Sequence, residues 1–232
     1  MKNVSNTGAS PIPGSTAPLA IAAAVAVVML LAGLHILSPE FDPSWRMVSE
    51  YANGQYSGVL SLMFISWAVS SWALAFTIWS QVETRAGKAG VVFLVAAGVG
   101  EAMASVFDIN HSLHSVAAMI GILSLPIAAM LISVSLSRTR GWSAARKELL
   151  WAANLTWMSL VLMIATFVIL MVTYTRAGGD MTAQASPLPP SATLPPGVVA
   201  LVGWANRLLI LVYCGWVVTV AGKAIRLRGQ KT

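Results

Sequence analysis

The residues best equipped for chemistry lie between Glu101 and His114, in the stretch EAMASVFDINHSLH. Glu101 places a carboxylate inside an apolar run of small residues, and Asp108, Asn110, His111 and His114 follow in a short polar turn. On one continuous helix Glu101, Ser105 and Asp108 share a face, at i, i+4 and i+7. An acid inside a membrane segment costs roughly 2.5–3.5 kcal/mol on the insertion scale, so it calls for a partner or a task. Asp108, His111 and His114 are ligand types for zinc or another transition metal. Asp and His also serve as general acid and base. The spacing is a weak metal signal, and a histidine at the rim is more often an interfacial hydrogen-bonding residue. Asn110 suits the N-cap of the helix that follows, which sets His114 in its first turn.

Two further groups bear on this stretch. Arg207 is the one basic residue left within a late apolar run. It falls about nine residues below the start of that run, roughly 13 Å at 1.5 Å per residue, and Glu101 lies at a similar depth. The expectation is an ion pair between Arg207 and Glu101 or Asp108, which lowers the insertion cost of both. The plain alternative is that such a pair only sets helix registry. Upstream, Arg46-Met-Val-Ser49-Glu50-Tyr51 can form a short helix with Arg46 and Glu50 at i, i+4. It is read as a cap over the pocket, bringing Ser49 and Glu50 to it, with Ser49 a hydroxyl that a base could activate.

The elements that position these groups are membrane helices. The chain has 232 residues, of which 57% are hydrophobic and 9% charged. Soluble domains are about a quarter charged, so this is an integral membrane protein. The net charge of +6 comes from basic residues set between apolar runs, which points to topology and away from nucleic acid. Runs at about 17–37, 58–79, 90–107, 115–137, 149–173 and 198–222 are each near the roughly 20 residues that a crossing needs. The expected fold is all-α, a six-helix transmembrane bundle. Residues 1–16 are read as a disordered tail, 17–225 as the membrane domain and 226–232 as a basic tail. A cleaved signal peptide is the rival for the first run, but its single Lys2 and long apolar core favour a retained helix. Gly98/Ala102 and Gly100/Ala104 allow close helix approach, which suggests that the third helix lies near the bundle centre. Pro126 interrupts the fourth. Trp45, Tyr51 and Tyr56 suit the membrane interface, and Trp67, Trp72 and Trp79 suit packing and anchoring. The proline-rich loop at 174–197 reads as an extended, exposed connection. Cys214 has no second cysteine to pair with.

Basic residues crowd the loops at 80–89 and 138–148 and the C-terminal tail, leaving only Arg46 and Arg176 on the other side. The positive-inside rule then makes both termini cytoplasmic and the membrane the cell's inner (plasma) membrane, with the 101–114 turn facing outward.

The chain resembles the bacterial and archaeal membrane proteins grouped as domain-of-unknown-function family 998. The matching features are Ser49-Glu50 after the first helix, Phe107-Asp108 ending the third, His114 with Ala117-Ala118 entering the fourth, and Asn206-Arg207 in the last. The resemblance spans about residues 17–225 and implies a six-helix membrane fold without a settled activity. Either His111 or His114 is the equivalent of the family histidine, because the stretch after the aspartate is short here. The layout is also loosely similar to membrane hydrolases of the alkaline ceramidase and progestin-receptor superfamily, which use Ser, Asp and His around zinc. Those carry a later histidine pair. Here no histidine follows His114, so only His35 could supply a third imidazole.

Three functions fit these residues. The first is a membrane-embedded hydrolase acting on a lipid or amphiphile, with Asp108, His114, Glu50 and Ser49 as catalytic groups and Asp108, His111 and His114 as metal ligands. The second is a small-solute or proton-coupled transporter switched by Glu101 and Arg207, in a binding pocket that also includes Arg46. The third is a non-catalytic subunit that binds a lipid or a partner. The enzyme ranks first of the three.

Overall fold

The computed structural model describes residues 16–179 and 189–230. Six helices span Thr16–Leu37 (α1), Ser57–Ile78 (α2), Arg85–Val106 (α3), His114–Leu136 (α4), Arg146–Arg176 (α5) and Val202–Gly229 (α6). All six are long and apolar enough to cross a membrane, and the described residues contain no strand. Helices are what lipid permits, because each satisfies its own backbone within the segment. The tail read at 1–16 lies almost wholly outside the described residues, as does the middle of the proline-rich loop, 180–188.

Each helix packs on its neighbours in chain order, and α6 returns to α1, closing a ring. Hydrogen bonds fix the alternation of direction. The start of α1 meets the end of α2 through Thr77 and Thr16, 3.0 Å apart, and the start of α3 meets the end of α4 through Thr84 and Ser135, 2.8 Å apart. α2 and α6 also touch across the ring and are the most buried spans. The expectation that α3 is central is corrected: it is a peripheral member held between α2 and α4. Its small residues do serve close approach, as expected. A Cβ on Gly98 would strike the Trp72 indole, and one on Gly100 would meet Gly121 N at 2.4 Å and Ala117 O at 2.7 Å.

The ends differ from the sequence reading at two places. α6 starts at Val202 and runs on to Gly229, taking Arg226 and Arg228 into its last turn, where cations suit the dipole. α4 starts at His114 after Leu113, with no side-chain cap. Asn110 therefore does not cap it. Its N–H instead closes an Asx turn on Asp108 Oδ1 at 2.9 Å, and its amide donates to Asn53 Oδ1 at 2.8 Å.

The α3–α4 contact is backbone on backbone, so it cannot yield by a rotamer change. Gly100→Val should lower the thermal midpoint of the detergent-solubilised protein by an amount equivalent to about 1–3 kcal/mol or more. Gly58→Ala, where nothing lies within 4 Å, should leave it nearly unchanged.

Candidate binding cavity and the Arg207 hub

Arg207 is 4% exposed and belongs to a polar knot at one end of the bundle. Its Nε donates to His35 Nε2 at 2.6 Å. Nη1 donates to Arg46 O at 2.7 Å and to Gly203 O at 2.9 Å, and Nη2 donates to Tyr51 Oη at 3.1 Å. The preceding residue, Asn206, accepts Val48 N–H through Oδ1 at 2.9 Å. Consecutive residues on α6 therefore anchor the end of α1 and the short 3-10 helix Val48–Asn53. Gly203 makes the approach feasible, since a Cβ there would meet Pro43 O at 2.4 Å.

The predicted ion pair does not form: neither Glu101 nor Asp108 bonds to Arg207. Equal depth was a sound inference, but azimuth decides contact. α3 and α6 lie across the ring, and Arg207 turns toward α1. His35 is consumed by the knot. Its Nε2 must accept from the guanidinium, so Nδ1 carries the proton and donates to Leu31 O at 2.7 Å. A third imidazole for a metal is thus not on offer at His35.

The expected Arg46–Glu50 pair is present at 2.6 Å. Glu50 Oε1 also reaches back to Met47 N–H at 2.8 Å, so both its oxygens are engaged. The Arg46 side chain, 1% exposed, stacks 4.1 Å from the Trp45 ring centroid and donates to the carbonyls of Pro189 and Pro190. The proline-rich connection is therefore tied to the bundle here. Trp45 and Tyr51, expected at the membrane interface, are instead buried. Tyr51 is held there as a ligand of Arg207.

Beside the knot lies a cavity of about 530 Å³ bounded by α2 to α6 and the 3-10 helix. Ser49, Trp67, Glu101, His114, Ser115, Asn206 and Tyr213 are its polar lining residues, and the rest is apolar. Met119, Ile164 and Phe167 also line it while being 59%, 50% and 46% exposed. The mouth therefore opens sideways between α4 and α5. A smaller, more polar recess of about 160 Å³ adjoins it, lined by Ser49, Ser57, Ser61, Ser105, Asp108 and His114. Arg46, Glu50 and Arg207 line neither space.

Glu101 is 4% exposed. Ser71 donates to its Oε2 at 2.8 Å, and Oε1 has no hydrogen-bond partner among the described residues. Ser105 lies one turn on from Glu101 within α3, its Oγ donating back to Ala102 O at 2.6 Å, but α3 ends at Val106 and Asp108 does not continue the face. His114 engages Phe107 O through Nδ1 at 2.8 Å, which leaves Nε2 without a bond among the described residues. His111 is exposed, with Nδ1 accepting Leu113 N–H at 3.1 Å. Among the described residues no three His, Cys, Asp or Glu side chains are grouped to hold a metal ion, so the turn does not gather Asp108, His111 and His114.

Sequence reasoning passed over Tyr213 and gave Ser71, Trp67 and Tyr51 other roles: a proton path, packing and the membrane interface. Trp67 lines the cavity, and its Nε1 has no hydrogen-bond partner among the described residues. Only the adjacency of Asn206 and Arg207 signalled the knot.

The family described as "Protein of unknown function (DUF998)" matches residues 20–223. No curated protein and no solved structure matches the chain.

Because Glu101 and Arg207 are not partners, their substitutions should act independently. In a Glu101→Gln/Arg207→Met double-mutant cycle, the stability changes should add to within about 0.5 kcal/mol. Arg207→Met alone should cost about 3 kcal/mol or more, since it strands several buried acceptors. A coupling well above that additive limit would restore the ion pair.

Proposed function

The chain belongs to the DUF998 family, whose description assigns no activity, and from that premise we propose that it binds a lipid or other amphiphile inside the bundle, taken sideways from the bilayer. The observation that carries this reading is the apolar cavity of about 530 Å³ whose mouth lies between lipid-facing residues of α4 and α5. Ligand sites are concave, mostly apolar and supplied with a few polar groups, and this one fits that description. The polar recess at Ser49, Asp108 and His114 supplies a place for a head group. Arg46 and Arg207 aside, most basic residues fall in the loops and tail at the opposite end of the bundle, which under the positive-inside rule supports a mouth that faces the outer leaflet.

Filling the mouth tests the reading. A nitroxide-labelled fatty alcohol should bind the purified protein saturably. Ala118→Trp, in the lining of the mouth, should weaken it about tenfold or abolish it. Val92→Trp, on the lipid-facing side of α3, should leave binding as it was. Equal binding in all three proteins would remove the cavity as the site.

A hydrolytic role for the recess is the second reading. It is favoured by His114, whose pinned Nδ1 leaves Nε2 free to take a proton. Ser49 lines the same recess but makes no bond to His114, so the dyad would have to assemble on substrate binding. The His114→Ala variant should then lose fatty-acid release from a lipid ester, while unchanged release excludes this role. Proton-coupled transport finds less support. Ser70, Ser71 and Ser135 are buried and hydrogen-bonded, Ser133 accepts from Trp216, and no ionisable side chain among them continues a path from Glu101.

A further inference from the structure

We infer that the cavity is selective for a lipophilic monocation: an apolar body carrying one positive centre, held against Glu101 among aromatic rings. This rests on the amphiphile reading above and narrows it to a chemical class.

Charge comes first. Glu101 is the one acidic residue in the cavity lining, and no Lys or Arg lines it. Arg207, the buried cation nearest in depth, has committed its donors to His35, Tyr51 and two carbonyls. Ser71 satisfies one carboxylate oxygen and leaves Oε1 without a partner among the described residues. A buried carboxylate with an unmet oxygen is costly in a low-dielectric interior. A cationic ligand relieves that cost, whereas an anionic head group adds to it.

The lining then selects the kind of cation. Inorganic cations need several oxygen ligands or retained water, and the walls are overwhelmingly apolar with one carboxylate. An organic cation needs only apolar contact and aromatic faces, which attract positive charge electrostatically. The cavity supplies them. Trp67 and Tyr213 meet edge to face with centroids 6.2 Å apart, and Phe64 stacks on Trp67 at 6.5 Å. All three rings line the space with Phe167. Tyr213 Oη is occupied by Ile122 O at 2.9 Å, which fixes that ring in place. Size is compatible as well, since a volume of about 530 Å³ lies within the range that drug-sized molecules occupy. The lateral mouth suits ligands that partition into lipid before they bind.

The test uses the full chain in nanodiscs of uncharged phospholipid, with tetraphenylphosphonium as the cation and the nitroxide-labelled fatty alcohol as the neutral probe. Tetraphenylphosphonium should bind saturably, and Glu101→Gln should weaken it by about tenfold or more. The fatty alcohol should bind the unaltered protein saturably as well, and Glu101→Gln should weaken it much less than it weakens the cation. Fatty-alcohol binding without saturable cation binding overturns the cation selectivity and leaves the amphiphile reading standing. Equal cation affinity in Glu101→Gln overturns the role of Glu101. Failure of both probes overturns the amphiphile reading itself. Should Glu101→Gln not fold, tetraphenylborate, an anion of the same shape, decides on the unaltered protein. Binding of the phosphonium alone supports the selectivity, and equal binding of the borate overturns it.

Discussion

A guanidinium buried at one end of a membrane bundle has to find its hydrogen-bond acceptors in the protein, and most of this architecture follows from how Arg207 does so. It draws on His35 from α1, Tyr51 from the 3-10 helix, the Arg46 carbonyl from the loop between them and the Gly203 carbonyl one turn back on α6. No carboxylate takes part. Neutral acceptors spread the positive charge over four partners on four segments. The cation therefore acts as a clasp that orders a polar loop against the helix ends.

The clasp has a consequence across the ring. Arg207 is spent on α1 and the loop, and among the described residues Glu101 has Ser71 as its one hydrogen-bond partner. The small residues of α3 compound this isolation: Gly100 lets α4 approach so closely that α3 is held on the far side from α6. The space that remains between α3 and α6 is the cavity, with Glu101 on one wall and Asn206 and Tyr213 on another. The two buried ionisable groups are thus separate: Arg207 fastens helix ends to a loop, and Glu101 stands in the wall of an apolar chamber.

The same fold organises the rim. The Asx turn on Asp108 and the Phe107 carbonyl bond to His114 Nδ1 fix a short connection between α3 and α4. That connection brings Asp108 and His114 to the recess beside Ser49. It turns His111 outward, where it packs on Phe107 at 4.6 Å. Arg46 ties the proline-rich connection down at the same end through the carbonyls of Pro189 and Pro190, so two loops distant in sequence meet at one edge of the chamber.

Composition and the length of the apolar runs determined the number of helices and their lengths within a few residues, because lipid allows a single-chain segment almost no other solution. Spacing also pointed to the Arg46–Glu50 pair, although Arg46 precedes the 3-10 helix Val48–Asn53 and reaches Glu50 from the loop before it, and to the close approach at Gly98 and Gly100, which lack of a side chain permits. Residue type marked Glu101, Asp108, His114 and Arg207 as groups that needed explanation. Which of them meet was decided by tertiary structure alone. Depth along a helix can be counted from sequence, but rotation about its axis and position in the ring depend on packing against every other helix. That is why Arg207 found His35 and Tyr51 instead of Glu101, why Trp67 faces a chamber, and why Ser71, one of several serines within the apolar runs, is the residue that holds the buried acid.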